Sequence, residues 1–134
     1  MISKKKNKSI DLVKVAALLI HSAKIDQDYS DQEEEIIRKT IFEISGKNEN
    51  IEEIIKNAKK IEENSNQILE FTQEIKNMDE ADKITIIETI WRIIYSNKEA
   101  DIYETNLMRR LGGLLYIDNK IMGNIKLRIK KENS

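Results

Sequence analysis

Apolar residues recur at three- and four-residue spacing along most of the chain, which predicts helices throughout. Val13, Ala16, Ala17 and Ile20 form the first stripe, and Val15, Leu18 and Leu19 widen it almost all round. This helix is expected from about Ser9, as N-cap, to Ala23, and its breadth places it in the centre of the domain. Asp26-Gln27-Asp28-Tyr29 reads as a loop. Ser30 with Glu33 three residues later is a capping box that opens a helix with Ile36, Ile37, Thr40, Ile41 and Ile44 inward. Gly46 suits the left-handed position at its end. Asn50 and Glu53 start a further helical stretch, whose period runs from Ile51 to about Lys76. It is one helix or two, with Asn57 and Asn64-Ser65-Asn66 as the candidate breaks.

Asp79 is the expected cap of another broadly apolar helix carrying Ile84, Ile86, Ile87, Ile90, Trp91, Ile93 and Ile94. After the loop Asn97-Lys98-Glu99-Ala100, Asp101 with Glu104 opens a helix bearing Leu107, Met108, Leu111, Leu114 and Leu115. Asp118 begins the last one, with Ile121, Met122, Ile125 and Ile129 inward. The fold class is therefore all-α, a compact bundle of about seven helices. Residues 1–8 read as a flexible basic N-terminus, 9–131 as one helical domain and 132–134 as a loose C-terminus.

The two broadly apolar helices are each followed by an acidic loop, a capping box and a narrower amphipathic helix. An offset of 71 residues superposes them, matching Glu33 to Glu104 and Arg38 to Arg109. Ile36, Ile37 and Ile44 then match Leu107, Met108 and Leu115. Two related hairpins can pack with their buried first helices side by side, bringing both acidic loops to one end of the bundle.

Composition narrows the function classes. Proline is absent and glycine scarce, in keeping with helices. Without cysteine there is no disulfide framework, thiolate metal site or cysteine nucleophile. Charged residues make up 35% of the chain, yet the net charge is −1, which argues against a nucleic-acid-binding domain. The basic stretch Lys4-Lys5-Lys6-Asn7-Lys8 before Leu12–Ile20 imitates a secretory signal, but Asp11 and Lys14 interrupt it. No segment approaches the ~20 apolar residues of a membrane span. A cytoplasmic protein is expected.

The chain resembles the tellurite-resistance-protein-B-like family at Ala16-Ala17-Leu18-Leu19-Ile20, Asp26-Gln27-Asp28-Tyr29 and Glu33. The second copy of the motif runs from Ile90-Trp91-Arg92 through Asn97 and Glu104 to Leu107-Met108-Arg109-Arg110 and Leu114-Leu115-Tyr116-Ile117. It is similar to stand-alone single-domain members, and relatives include the N-terminal domain of a membrane-anchored DnaJ-type co-chaperone. The resemblance covers about residues 9–130. It implies an all-helical fold and a metal site formed here by Asp26, Glu33, Asn97 and Glu104. Gln27 and Lys98 stand where the family has glycine, and Asn97 replaces the second aspartate.

Oxygen donors of that kind would favour Ca²⁺, Mg²⁺ or Mn²⁺. The alternative is that Glu33 and Glu104 are simply third residues of capping boxes. An EF-hand is excluded: counted from Asp26, the sixth position is Asp31 and the twelfth Ile37. His21, the lone histidine, reads as a structural residue rather than a base or ligand. Glu33-Glu34-Glu35 reads as a solvated face. Arg109 and Arg110 either receive an acidic segment of a partner or pair with Glu33 or Glu104 across the repeat. Trp91 and Tyr95 are expected in the core, while Tyr103 and Tyr116 could face outward. There is no Gly-rich phosphate loop, nucleophile elbow or paired-His motif.

These observations lead to an expected non-enzymatic domain with a protein partner, an adaptor in a tellurite-resistance-type stress response. No cofactor is certain. The alternative is a module that binds or senses a divalent cation through the two acidic loops.

Overall fold

Asp11 caps the first helix, its Oδ1 accepting from the Lys14 amide at 3.1 Å. The computed structural model describes residues 11–26, 29–46, 50–65, 68–96 and 102–132, so the expected cap Ser9 lies outside the described residues. Seven α-helices follow one another: α1 (Leu12–Ala23), α2 (Asp31–Ser45), α3 (Ile51–Glu63), α4 (Leu69–Ile75), α5 (Glu80–Tyr95), α6 (Ile102–Leu114) and α7 (Asn119–Glu132). A short 3₁₀ turn over Lys24–Asp26 leads out of α1. Among the described residues there is no strand, and no helix is long and apolar enough to cross a membrane.

The capping residues act largely as their spacing predicts. Ser30 Oγ accepts from the Glu33 amide at 3.1 Å, and Glu33 Oε1 accepts from the Ser30 amide at 3.0 Å, a complete capping box. Gly46 closes α2 in the left-handed region at φ 67°. Asn50 caps α3 through the Glu53 amide. The stretch from Asn50 to Lys76 is two helices, broken after Glu63 at the Asn64 segment. Asp79 occupies the N-cap position of α5 but makes no capping bond there with its side chain. Asp101 lies outside the described residues.

α1 and α5 are the two central helices. Every side chain from Val15 to Ile20 is buried, as are Ile86, Ile87, Ile90, Ile93 and Ile94. α1 packs against α2, α3, α4 and α5, and α5 also against α2 and α7. The broad apolar stripes thus belong to helices covered on several sides, while the narrower stripes of α2, α3 and α7 belong to helices with one face in solvent. Burial of each such aliphatic side chain contributes about 1.5–3 kcal/mol. One polar link crosses this core: Thr40 and Thr89 hydroxyls lie 2.8 Å apart. Thr89 donates its proton to the Thr85 carbonyl, so Thr40 is the donor between them.

The end of α6 is a Schellman motif in which tyrosine takes the usual glycine position. Tyr116 sits at φ 60°, the Ile117 amide donates to Gly112 O at 2.9 Å and the Tyr116 amide to Gly113 O at 3.3 Å. Its ring is exposed, with Lys76 Nζ 5.7 Å from the centroid.

Candidate functional site

Both acidic residues expected in the second and fourth corners of a cation site are buried at helix starts. Glu33 and Glu104 are 2% and 5% exposed, in the first turns of α2 and α6. Glu33 spends one oxygen on its own helix N-terminus through the Ser30 amide. Glu104 lies close enough to Tyr95 for its charge, after burial itself, to push that phenol up. The side chain of Asp26 and the whole of Asn97 lie outside the described residues. Among the described residues no three His, Asp or Glu side chains gather in a way that could hold a metal ion. Glu33, with one oxygen already accepting from a backbone amide, fits the capping role better than that of a cation ligand.

The first hairpin instead holds a closed knot of charge. Glu34, inside the acidic run, is largely covered rather than solvated. Tyr29 donates to its Oε1 at 2.9 Å, Lys59 Nζ stands 3.1 Å from the same oxygen, and Arg38 Nη2 donates to Oε2 at 2.7 Å. Burial alone would raise this carboxyl, but the bonds from Lys59 and Tyr29 outweigh it and hold the pKa below the usual carboxylate value. Burial and the bond to Glu34 push the Tyr29 phenol strongly up. Arg38 also reaches Glu52 at 2.7 Å. Beside this knot, Glu62 accepts from Lys24 Nζ at 2.8 Å, and its other oxygen lies 3.2 Å from His21 Nδ1. His21 is thus a structural partner of a carboxylate, its ring tilted 6.1 Å from Phe71. A polar cavity of about 340 Å³ lies here, walled by Ile20, Lys24, Tyr29, Glu34, Lys59 and Glu62 among others.

A smaller cavity lies between α5, α6 and α7. It measures about 180 Å³ and is walled by Trp91 of α5, Thr105, Met108 and Arg109 of α6, and Asn119, Met122, Gly123 and Lys126 of α7. Trp91 is 3% exposed and stacks on Tyr95 with centroids 5.5 Å apart. Lys126 Nζ lies 5.4 Å from the centre of its ring. Among the described residues the buried indole Nε1 has no hydrogen-bond acceptor, an omission that costs about 1–3 kcal/mol when nothing fills it.

Arg109 and Arg110 are exposed, and neither forms an ion pair among the described residues. The pairing with Glu33 or Glu104 across the repeat is therefore not what the structure holds. The other arginines are all engaged: Arg38 with Glu34 and Glu52, Arg92 with Glu132, and Arg128 with Glu88. Charge is also segregated along the chain. Residues 102–132 carry seven Lys and Arg against three Asp and Glu, whereas residues 11–101 carry twelve against twenty-one. The near-zero total conceals a basic pair of helices on an acidic body.

Sequence spacing singled out Arg109 and Arg110 but missed the cavity beside them, because Lys126 and Trp91 reach it from other helices. The knot around Glu34 was equally hidden, since Lys59 enters it from α3. When the chain is compared with known proteins, a family model described as tellurite resistance protein TerB matches residues 12–127. No curated protein and no solved structure matches.

Proposed function

The chain belongs to the TerB family of tellurite resistance proteins, and from that premise we propose that it is a non-enzymatic adaptor domain whose α6–α7 face receives an acidic segment of a protein partner. The observation that carries this reading is the pair Arg109 and Arg110, exposed and without carboxylate partners among the described residues. An arginine costs little to expose, but on a chain with an excess of acidic residues its own neighbours would normally claim it. Three of the five arginines are so claimed. The planar guanidinium suits bidentate contact with a partner carboxylate. A role in a tellurite-resistance-type stress response rests on the family alone.

A second reading, a module for Ca²⁺, Mg²⁺ or Mn²⁺, is supported by the burial of Glu33 and Glu104 in the first turns of α2 and α6. Against it stands the bond that Glu33 Oε1 already makes to the Ser30 amide.

Affinity capture at native salt separates the two. The adaptor reading expects a discrete protein to be retained by the wild-type domain and lost from the Arg109→Glu/Arg110→Glu double variant. Equal retention by both, or retention that appears only with added divalent cation, contradicts it.

A further inference from the structure

An offset of 71 residues matches two wall positions of the first cavity to two of the second. At the same offset of 71, Ile20 corresponds to Trp91, Glu34 to Thr105 and Arg38 to Arg109. Ile20 and Glu34 wall the first cavity, and Trp91 and Thr105 wall the second. In the first hairpin an arginine, a lysine and an aromatic hydroxyl surround a carboxylate that the chain itself supplies. In the second, Arg109 stands at the position matching Arg38, Lys126 and Trp91 reach the cavity wall from α7 and α5, and threonine stands at the position matching Glu34. The first cavity has carboxylates in its wall; the second has Arg109 and Lys126 and no carboxylate among its lining residues.

From this we infer that the cavity between α5, α6 and α7 binds a carboxylate of an acidic peptide, held at the wall that carries Arg109 and Lys126. The inference rests on the adaptor reading above and adds its site and chemistry. Arg109 and Lys126 supply the charge, and Thr105 and Asn119 supply neutral polar groups at the wall. The indole N–H of Trp91 is the buried donor that the ligand satisfies. That nitrogen is covered in the free domain, and the side chains beside it are ones that move readily. Lys126 lies over the ring on an unbranched stem, and Met108 and Met122 are unbranched and adaptable. At Gly123 an added Cβ would meet nothing within 4 Å, so space is already present on the α7 side. The size of the cavity suits one side-chain carboxyl group rather than a folded ligand.

Trp91 is the single tryptophan of the chain, so its emission reports on this cavity directly. Titrate the domain with pentaglutamate and, separately, with glutarate, at ionic strength held constant with sodium chloride. Follow Trp91 emission together with the anisotropy of a labelled pentaglutamate. A saturable change of emission with the peptide is expected, weakened at least tenfold in Arg109→Gln and in Lys126→Gln. Thr105→Glu puts a carboxylate in the cavity wall and should abolish the response while the domain stays folded by circular dichroism. Trp91→Phe, followed by anisotropy, should bind more weakly, since the ring remains and the donor is gone. Saturation by glutarate without binding of the peptide would uphold the carboxylate cavity and overturn the adaptor reading. Peptide binding seen by anisotropy, with Trp91 emission unmoved and Thr105→Glu unaffected, would overturn the cavity and leave the adaptor reading standing. No response to either probe would overturn the inference.

Discussion

The buried ammonium of Lys83 lies 2.8 Å from the carbonyl oxygen of Leu115, just past the end of α6. It also donates to Lys76 O, at the end of α4, at 3.1 Å. One cation near the start of α5 therefore satisfies carbonyls at the C-termini of two other helices, where the helix dipoles favour positive charge. Replacing it removes both bonds and leaves the carbonyls uncovered in a low-dielectric setting. Lys83→Met should lower stability by about 2–4 kcal/mol in urea unfolding, because bonds to charged groups contribute ~1.5–3 kcal/mol each and partly share one desolvation cost. A loss below about 0.5 kcal/mol would show that water replaces the ammonium there.

Tyr116 holds a left-handed conformation that glycine adopts without cost. A non-glycine residue at such a φ costs about 1–2 kcal/mol. The contact with Lys76 returns roughly 0.5 kcal/mol at an exposed ring. Tyr116→Gly is therefore expected to stabilise the domain by about 0.5–1 kcal/mol, read from the midpoint of denaturant unfolding at constant slope. A destabilised variant would mean that the ring packs more than its exposure indicates.

Acid should weaken the first hairpin through Glu34. Its pKa in the folded domain lies below the ordinary 4.5, so the stability it contributes is present above that value and is lost as pH falls through the folded one. Glu34→Gln should lower stability at pH 7 by about 1 kcal/mol, solvent screening included. It should also flatten the fall in stability below about pH 4.5, measured by unfolding across pH. An unchanged acid limb would place the sensitivity in other carboxylates.

Divalent cations should leave the melting temperature where it is. Glu33 is occupied at its helix start, and no three acidic or histidine side chains converge among the described residues. Millimolar Ca²⁺, Mg²⁺ or Mn²⁺ should produce no stabilisation in a thermal scan. A site filled at a hundredfold excess over Kd would add about 2.7 kcal/mol, an effect too large to miss.

How far the residues alone reveal this molecule depends on the range of the interaction. Ser30 and Glu33, Asn50 and Glu53, and Gly46 are local signals, and each sets a helix boundary where its spacing places it. The breadth of the apolar stripes of α1 and α5 marks them as central, since a helix apolar on all sides has to be covered on all sides. Glu33 and Glu104, which share one offset with Arg38 and Arg109, both lie buried in the first turn of a helix. What escaped depends on which helices meet. In the sequence Glu34 is one of three consecutive glutamates, and nothing local to it shows that Lys59 and Tyr29 close on it. Glu62, near the end of α3, carries no local signal that it holds Lys24 and His21. Lys126 and Trp91 are distant in sequence and share a cavity only because α7 packs on α5.

The adaptor reading stands on the charge of the α6–α7 face, and its most direct test is the salt dependence of a labelled pentaglutamate binding to the domain. Binding through Arg109, Arg110 and Lys126 should weaken steadily as salt rises from 50 to about 300 mM, because exposed ion pairs are screened over that range. The Arg109→Glu/Arg110→Glu variant should not bind at any of these concentrations. Binding by that double variant at wild-type strength, or an affinity indifferent to salt, would contradict the account.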